Sequence, residues 1–162
     1  KKYNDIFYVF HSTAEFNSST QEKLIKEDLK NCGSILDEKV KSEILKSSMF
    51  AIAKSGTVSL EICNAKIPSI IIYKMNLINF LIVKMLVKIK YANIINIAAD
   101  DEVIPELIQS NCNSKNIFNK VTAFLDDNKL MLNQVDKYQK IIKDFKTNSS
   151  SEIAASVLTS FL

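Results

Sequence analysis

"MFAIAKSGTVSLEICNAKIPSIIIYK", Met49 to Lys74, reads as strand, turn, helix, strand. "MFAIA" is short, apolar and bounded by polar residues, as a buried strand is. "GTVSLEICNAK" places apolar residues at helical spacing. Pro68 follows closely, and "PSIIIYK" is so apolar and β-branched that both faces of that strand are expected to be covered. Such a unit belongs in a parallel sheet with crossover helices. The chain has only two glycines in 162 residues, and Gly56 stands where the first strand turns into the helix.

The same alternation extends outward. "DIFYVF" (Asp5–Phe10) predicts a strand. "SSTQEKLIKEDLKNCG" (Ser18–Gly33) predicts a helix with a Ser/Thr cap region and Gly33 as its stop. "SILD" (Ser34–Asp37) predicts a strand, and "EKVKSEILKSS" (Glu38–Ser48) a helix with Val40, Ile44 and Leu45 toward one face. Downstream, "NLINFLIVKMLVKIK" (Asn76–Lys90) is too long for a strand and predicts a helix. "NIINIA" (Asn93–Ala98) predicts a short strand or extended turn, and "DDEVIPELIQSN" (Asp100–Asn111) a helix with Pro105 in its first turn. Three further helices are expected over Ser114–Asp127, Asn128–Lys146 and Ser149–Leu162, the last opening on a capping box from Ser149 to Glu152. The pattern predicts an α/β fold: a Rossmann-like parallel sheet with helices on both faces, followed by C-terminal helices. One domain is expected over residues 1–162, with a βα core at 1–113 and helices at 114–162. Ligands in such folds bind at the C-terminal ends of the strands.

Composition bounds the function. Apolar residues make up 47% and charged residues 24%, as in a globular chain. Cys32, Cys63 and Cys112 are scattered and odd in number, which argues for a reducing compartment. A lone histidine, His11, argues against zinc. The net charge is +3, and all 21 basic residues are lysine. Without arginine forks or aromatic stacking at a basic face, nucleic acid is not an expected partner. No apolar run is long enough to span a bilayer. The first residue is Lys1, so a piece of a longer chain is expected.

At the turn itself, Lys54, Ser55, Gly56 and Thr57 lead into a helix whose first N–H groups and dipole attract anions, phosphates above all. Gly56 lets backbone approach a phosphate without a Cβ between. Glu61 lies one helical turn past Thr57, where a carboxylate can accept the hydroxyls of a ribose. Ser-Gly-Thr also suits any cap and turn, and the stretch is neither a Walker loop nor GxGxxG.

The series Ser55, Gly56, Thr57, Leu60, Glu61, then Pro68, Tyr73, Asn96, Pro105, Glu106, Leu107 and Gln109 resembles the lipid-A-disaccharide synthase family in order and spacing across Phe50–Gln109. The resemblance implies the C-terminal domain of a GT-B glycosyltransferase that holds the UDP part of the donor. It implies transfer of 2,3-diacylglucosamine from UDP-2,3-diacylglucosamine to 2,3-diacylglucosamine 1-phosphate (lipid X), with inversion and without metal or cofactor. Donor-binding residues carried over are Ser55, Gly56 and Thr57 at the diphosphate, Glu61 at the ribose and Asn96 near the phosphate or sugar. Glu106 and Gln109 are carried over as donor contacts or supports of their turn. The catalytic residue is expected in an N-terminal half outside this chain. Other implied partners are that half, a second copy and the inner-membrane surface, on which the enzyme is peripheral and cytoplasmic.

The chain departs from the pattern. Lys54 stands for a frequent Ala, Lys74 for Arg, Ile95 for Pro, and Asp100 and Asp101 for Gly and Arg. The family's opening strand and its Gly-Ser-Arg turn have no counterpart, so the sheet is expected to lack its central strand and the isolated segment to be inactive. Rival readings are another GT-B UDP-sugar enzyme, epimerase-like, and an inactive remnant or interaction module. The Asn76–Lys90 helix reads either as interfacial, with Lys84, Lys88 and Lys90 near one side, or as packed on the sheet. His11 ends a strand and reads mainly as structural. Asp100-Asp101 and Asp126-Asp127 are adjacent pairs whose side chains point apart on a helix, and Cys63 reads as core.

Overall fold

The structure, a computed structural model, describes residues 6–11, 14–26, 33–36, 40–76, 80, 85, 90–145 and 150–160. The chain forms two compact units, Lys1–Ser48 and Met49–Leu162. In the first, β1 (Tyr8–His11) pairs in parallel with β2 (Gly33–Leu36), Tyr8 opposite Gly33, and α1 (Ala14–Lys26) connects them. Gly33, expected to stop the helix, is therefore the first residue of β2. α1 begins four residues ahead of its expected start at Ser18. α2 (Lys41–Ser47) leaves Val40, Ile44 and Leu45 half-buried.

In the second unit, β3 (Ala51–Lys54), β4 (Ser69–Tyr73) and β5 (Glu106–Ile108) form a parallel sheet in the order β3-β4-β5. α3 (Thr57–Asn64) links β3 to β4. The expected α/β, Rossmann-like parallel architecture is thus the one observed. β4 is central, and Ser69, Ile70 and Ile71 are buried on both of its faces, as an apolar parallel strand requires. Both prolines do the same job. Pro68 and Pro105 stand just before β4 and β5, lack an N–H to pair, and offer their carbonyls to Ala51 N–H and Ile71 N–H, each at 2.9 Å.

Two expectations exchange places. Asn93–Ala98, expected as a short strand or extended turn, falls in helix α4 (Ile94–Ala99) and its N-cap Asn93, and Asp100–Asn111, expected as a helix, contains β5 and a 3₁₀ turn at Gln109–Asn111. The short, β-branched apolar character of "NIINIA" is overridden by capping: Asn93 Oδ1 accepts from Ile95 N–H at 2.9 Å and starts the helix. The acidic "DDE" imitates a helix start, but Asp100 ends α4 in the left-handed conformation at φ 48°, and Pro105 then favours extended backbone before it. Most of the Asn76–Lys90 helix and the Ser149 cap lie outside the described residues.

The remaining helices are α5 (Ser114–Asp126), α6 (Asn128–Phe145) and α7 (Ser150–Thr159). α6 is the buttress. It packs on α3, α4 and α5, and buries Gln134, Tyr138 and Ile142, four residues apart along one stripe. Gln134 binds the first backbone groups of β4. Its Oε1 accepts from Ser69 N–H at 2.7 Å, and its Nε2 donates to Ser69 O at 2.9 Å and Val103 O at 3.3 Å. Gln139 Nε2 donates to Cys63 O at 2.6 Å. The Tyr138 hydroxyl is buried with no hydrogen-bond partner among the described residues.

Gln134→Met is expected to lower stability by about 3 kcal/mol in urea unfolding, because the buried Ser69 N–H and C=O lose their partners. Tyr138→Phe is expected to leave the urea midpoint unchanged or raise it, since the lost hydroxyl has no partner. Burial pushes the Cys63 thiol up to about 12, so at pH 8 it stays protonated. Iodoacetamide at pH 8 should then alkylate half-buried Cys112 and spare Cys63 in the folded chain, with both modified in urea, as read by peptide mass mapping.

Candidate functional site

β3 ends at Lys54, and the chain turns through Ser55 and Gly56 into α3. Gly56 adopts φ 145°, ψ −165°, a backbone conformation that side chains rarely allow, although a Cβ there would meet nothing within 4 Å. The glycine is thus required by its dihedrals and not by crowding. Gly56 O accepts from Ser59 N–H at 3.1 Å and from Ser59 Oγ at 2.6 Å, which closes the first turn of α3. The amides of Thr57 and Val58 come first in the helix, where no intrahelical carbonyl reaches them.

Ser55, Gly56, Thr57 and Leu60 line one wall of a concavity of about 250 Å³, and Ala92 and Ile94 line the other. The two walls are joined by one hydrogen bond: Ser55 Oγ donates to Ala92 O at 2.8 Å. That bond uses the only proton of the hydroxyl, so Ser55 positions the turn and can act toward a ligand only as an acceptor. Thr57 is exposed at the helix start. Glu61 lies half-buried one turn along α3 and does not line the concavity.

Asn96, Glu106 and Gln109 hold the structure behind the second wall. Glu106 Oε2 accepts from Ala92 N–H, and Oε1 from Asn93 N–H and Asn96 Nδ2, all at 2.8 Å. A carboxylate at the start of α4 suits the helix dipole and satisfies amides that would otherwise be orphaned. Asn96 is fully buried; its Nδ2 also donates to Ile104 O at 2.7 Å and its Oδ1 accepts from Ile104 N–H at 2.8 Å. Gln109 bridges to the end of β4, accepting from Met75 N–H at 2.8 Å and donating to Met75 O at 3.2 Å. Ser55, Gly56 and Thr57 are therefore brought together at one concavity, while Asn96, Glu106 and Gln109 have their polar atoms engaged within the protein. The sequence reading missed Ala92, Asn93 and Ile94. The signal for Asn93 was its position as an Asn two residues before an apolar Ile, as an N-cap is placed.

Lys54 Nζ lies 5.3 Å from the centroid of the Tyr73 ring, a cation–π contact at the C-terminal ends of β3 and β4. Among the described residues no group of His, Cys, Asp and Glu is arranged to hold a metal ion, and no helix is long and apolar enough to cross a membrane.

A parallel sheet whose edge strand turns through glycine into a helix defines a Rossmann-like α/β protein. Comparison with known proteins gives the family. The model of the lipid-A-disaccharide synthetase family matches residues 1–160, and the chain belongs to that family. The lipid-A-disaccharide synthase of Rickettsia prowazekii is 45% identical over 114 residues, which cover 68% of this chain and 30% of the relative. That of Rickettsia conorii is 49% identical over 100 residues, 60% of this chain and 22% of the relative. That of a Sulfurihydrogenibium species is 31% identical over 170 aligned positions, covering 100% of this chain and 44% of the relative. The chain spans less than half the length of these curated relatives.

The Glu106 contacts generate a prediction. Glu106→Gln supplies one acceptor oxygen where two are used and turns an amide against N–H donors. It is expected to lower stability by about 2–3 kcal/mol in urea unfolding. Asp101→Asn, at an exposed carboxylate, should change the midpoint little.

Proposed function

We propose that this chain is the UDP-donor-binding half of a glycosyltransferase of lipid A assembly. In this reading the full enzyme transfers 2,3-diacylglucosamine from UDP-2,3-diacylglucosamine to lipid X with inversion. The new glycosidic bond forms as the bond to the UDP diphosphate breaks, giving lipid A disaccharide 1-phosphate and UDP. The observation that carries the reading is the Gly56 turn at φ 145°, which opens α3 beside a concavity in a chain of this family. A helix start offers amides and a positive dipole end to the diphosphate, and stabilises the charge that develops on departing UDP.

The residue roles are part of the same proposal. Thr57 and the amides of Thr57 and Val58 face the diphosphate. Gly56 permits the turn, and Ser55 fixes it to Ala92. Glu61, one turn along α3 and outside the lining of the concavity, is carried over from the resemblance as the group that takes the ribose hydroxyls. Asn96, Glu106 and Gln109 act on the donor through the backbone they hold. The acceptor site and the catalytic residue belong to the N-terminal half. The whole enzyme works at the cytoplasmic face of the inner membrane, where its acylated substrates reside, as a peripheral protein and a candidate homodimer.

Calorimetric titration of UDP into the 162-residue chain, with folding checked by circular dichroism, is the test. Saturable binding is expected, and Gly56→Val should weaken it at least tenfold (about 1.4 kcal/mol) by forbidding the backbone conformation. A folded chain that ignores UDP sinks the reading in favour of a remnant. Binding that survives Gly56→Val unchanged removes the site from this turn. The isolated chain is expected to form no disaccharide from the two acylated substrates, and measurable turnover would contradict the division of labour.

A further inference from the structure

The second wall of the concavity at Gly56 is apolar because its backbone is already engaged. Ala92 N–H goes to Glu106, and Ala92 O accepts from Ser55 Oγ. Asn93 N–H also goes to Glu106, and Asn93 O accepts from Ile97 N–H at 3.0 Å. Every backbone polar group of these two residues is bonded within the protein, and the Asn93 side chain is buried. What this wall offers a ligand is mostly the apolar surface of Ala92 and Ile94.

That surface continues along α4. Ile94 and Ile97, one turn apart on the same face, are 47% and 46% exposed, and Ala98 is exposed next to Ile97. These are all the exposed residues of α4, so its outer face carries no polar side chain. The outer face of a surface helix is ordinarily polar. On the opposite wall Leu60 lines the concavity, and Val58, next to Thr57, is 40% exposed. The Ser55–Ala92 bond joins the two walls and the Glu106 carboxylate fixes the second, so the apolar cleft is preformed.

Diphosphate and hydrocarbon lie close together in the proposed donor. C1 of its sugar carries the diphosphate, and the acylated nitrogen sits on the adjoining carbon, C2. With the diphosphate at the start of α3, an acyl chain on C2 leaves the sugar beside the Ile94 wall. A nucleobase edge or a sugar hydroxyl is matched by hydrogen-bonding partners, which Ala92 and Asn93 have already spent; a hydrocarbon chain needs none. We infer that the Ile94–Ile97–Ala98 face of α4, with Leu60 opposite, is the subsite for the C2 acyl chain of the donor. The inference rests on the proposed reading of the Gly56 turn as the diphosphate site, and adds the part of the substrate that the second wall receives.

Calorimetric titration into the 162-residue chain tests it, with UDP, UDP-N-acetylglucosamine and UDP-glucosamine carrying an N-hexanoyl chain as ligands. The hexanoyl ligand is expected to bind at least tenfold more tightly than the acetyl one (about 1.4 kcal/mol), as burial of roughly two methylenes gives. Ile97→Asn should bring that ratio to within about twofold, and Ile97→Ala should lower it by a smaller amount. The ratio is the readout, so a change in affinity shared by both ligands cancels. Equal affinities in the unaltered chain overturn the inference, whatever the variants do. A ratio that survives both Ile97→Asn and Ile94→Asn overturns it too, since the acyl chain then lies elsewhere. If Ile97→Asn disperses a dimer in sedimentation and leaves the ratio intact, the face belongs to a second copy and the inference falls. The UDP titration separates this inference from the reading beneath it. UDP binding that Gly56→Val weakens, together with equal hexanoyl and acetyl affinities, leaves the diphosphate turn standing and removes the acyl subsite. A folded chain that ignores every one of these ligands removes both.

Discussion

The carboxylate of Glu106 holds the second half of this structure in register. It leaves the first residue of β5 and gathers Ala92 N–H, Asn93 N–H and the Asn96 amide. Three donors converge on one charge, so the segment entering α4 has a single geometry. Ala92 then presents its carbonyl to Ser55, and the turn after β3 is fixed by a strand two places away in the sheet. Each link is a hydrogen bond between groups half-buried or buried, where an unmet donor costs about 1–3 kcal/mol. The concavity at Gly56 keeps its shape because its far wall cannot move without breaking this chain of bonds.

α6 does for the other end of the sheet what Glu106 does for this one. Ser69 opens β4, and its N–H and C=O would meet water if the sheet simply stopped there. Gln134 satisfies both with a single side-chain amide, and adds Val103 O as a third partner. The same stripe of α6 then buries Tyr138 and Ile142. A polar residue at a core position fixes orientation here. An aliphatic side chain would permit several helix rotations, whereas an amide matched to one N–H and one C=O permits one.

β3 and β4 were legible because they are apolar runs of the right length, bounded by the Gly56 turn and by Pro68. Asn93–Asn111 was misread because two local signals pointed the wrong way. "NIINIA" is short, apolar and β-branched, like a strand, but the Asn93 cap and the buried Asn96–Ile104 pairing make it helical; that pairing joins residues no local window compares. "DDEVIPE" is acidic with an early proline, like a helix start, but the left-handed Asp100 and the pairing of β5 with β4 make it a strand. The resemblance selected Asn96 as a group near the phosphate or sugar, and Glu106 and Gln109 as donor contacts or supports of their turn; in the structure all three bond to their own chain. Their spacing marks a tertiary hydrogen-bond network between the segment entering α4, β5 and the end of β4. Several departures from the family pattern have physical accounts. Asp100 adopts the left-handed conformation that the frequent glycine adopts freely. Ile95 donates its N–H to Asn93, a bond proline could not make.

An arginine-free chain raises the question of what the proposed anion site would be built from. Here the side chains contribute less than the list of matching residues suggests. The Ser55 proton is engaged by Ala92, and Asn96, Glu106 and Gln109 bond inward. What the described residues offer an anion in the proposed site is the helix dipole, the first amides of α3 and the Thr57 hydroxyl, with Lys54 held over the Tyr73 ring. Backbone amides survive any substitution that preserves the dihedrals. In the proposed reading, a site built on them would tolerate lysine for arginine at Lys74 and aspartate for glycine at Asp100. It does not tolerate a side chain at Gly56, where φ is 145°. The constraint on this turn is therefore conformational before it is chemical, which is why a sequence with two glycines keeps one of them here.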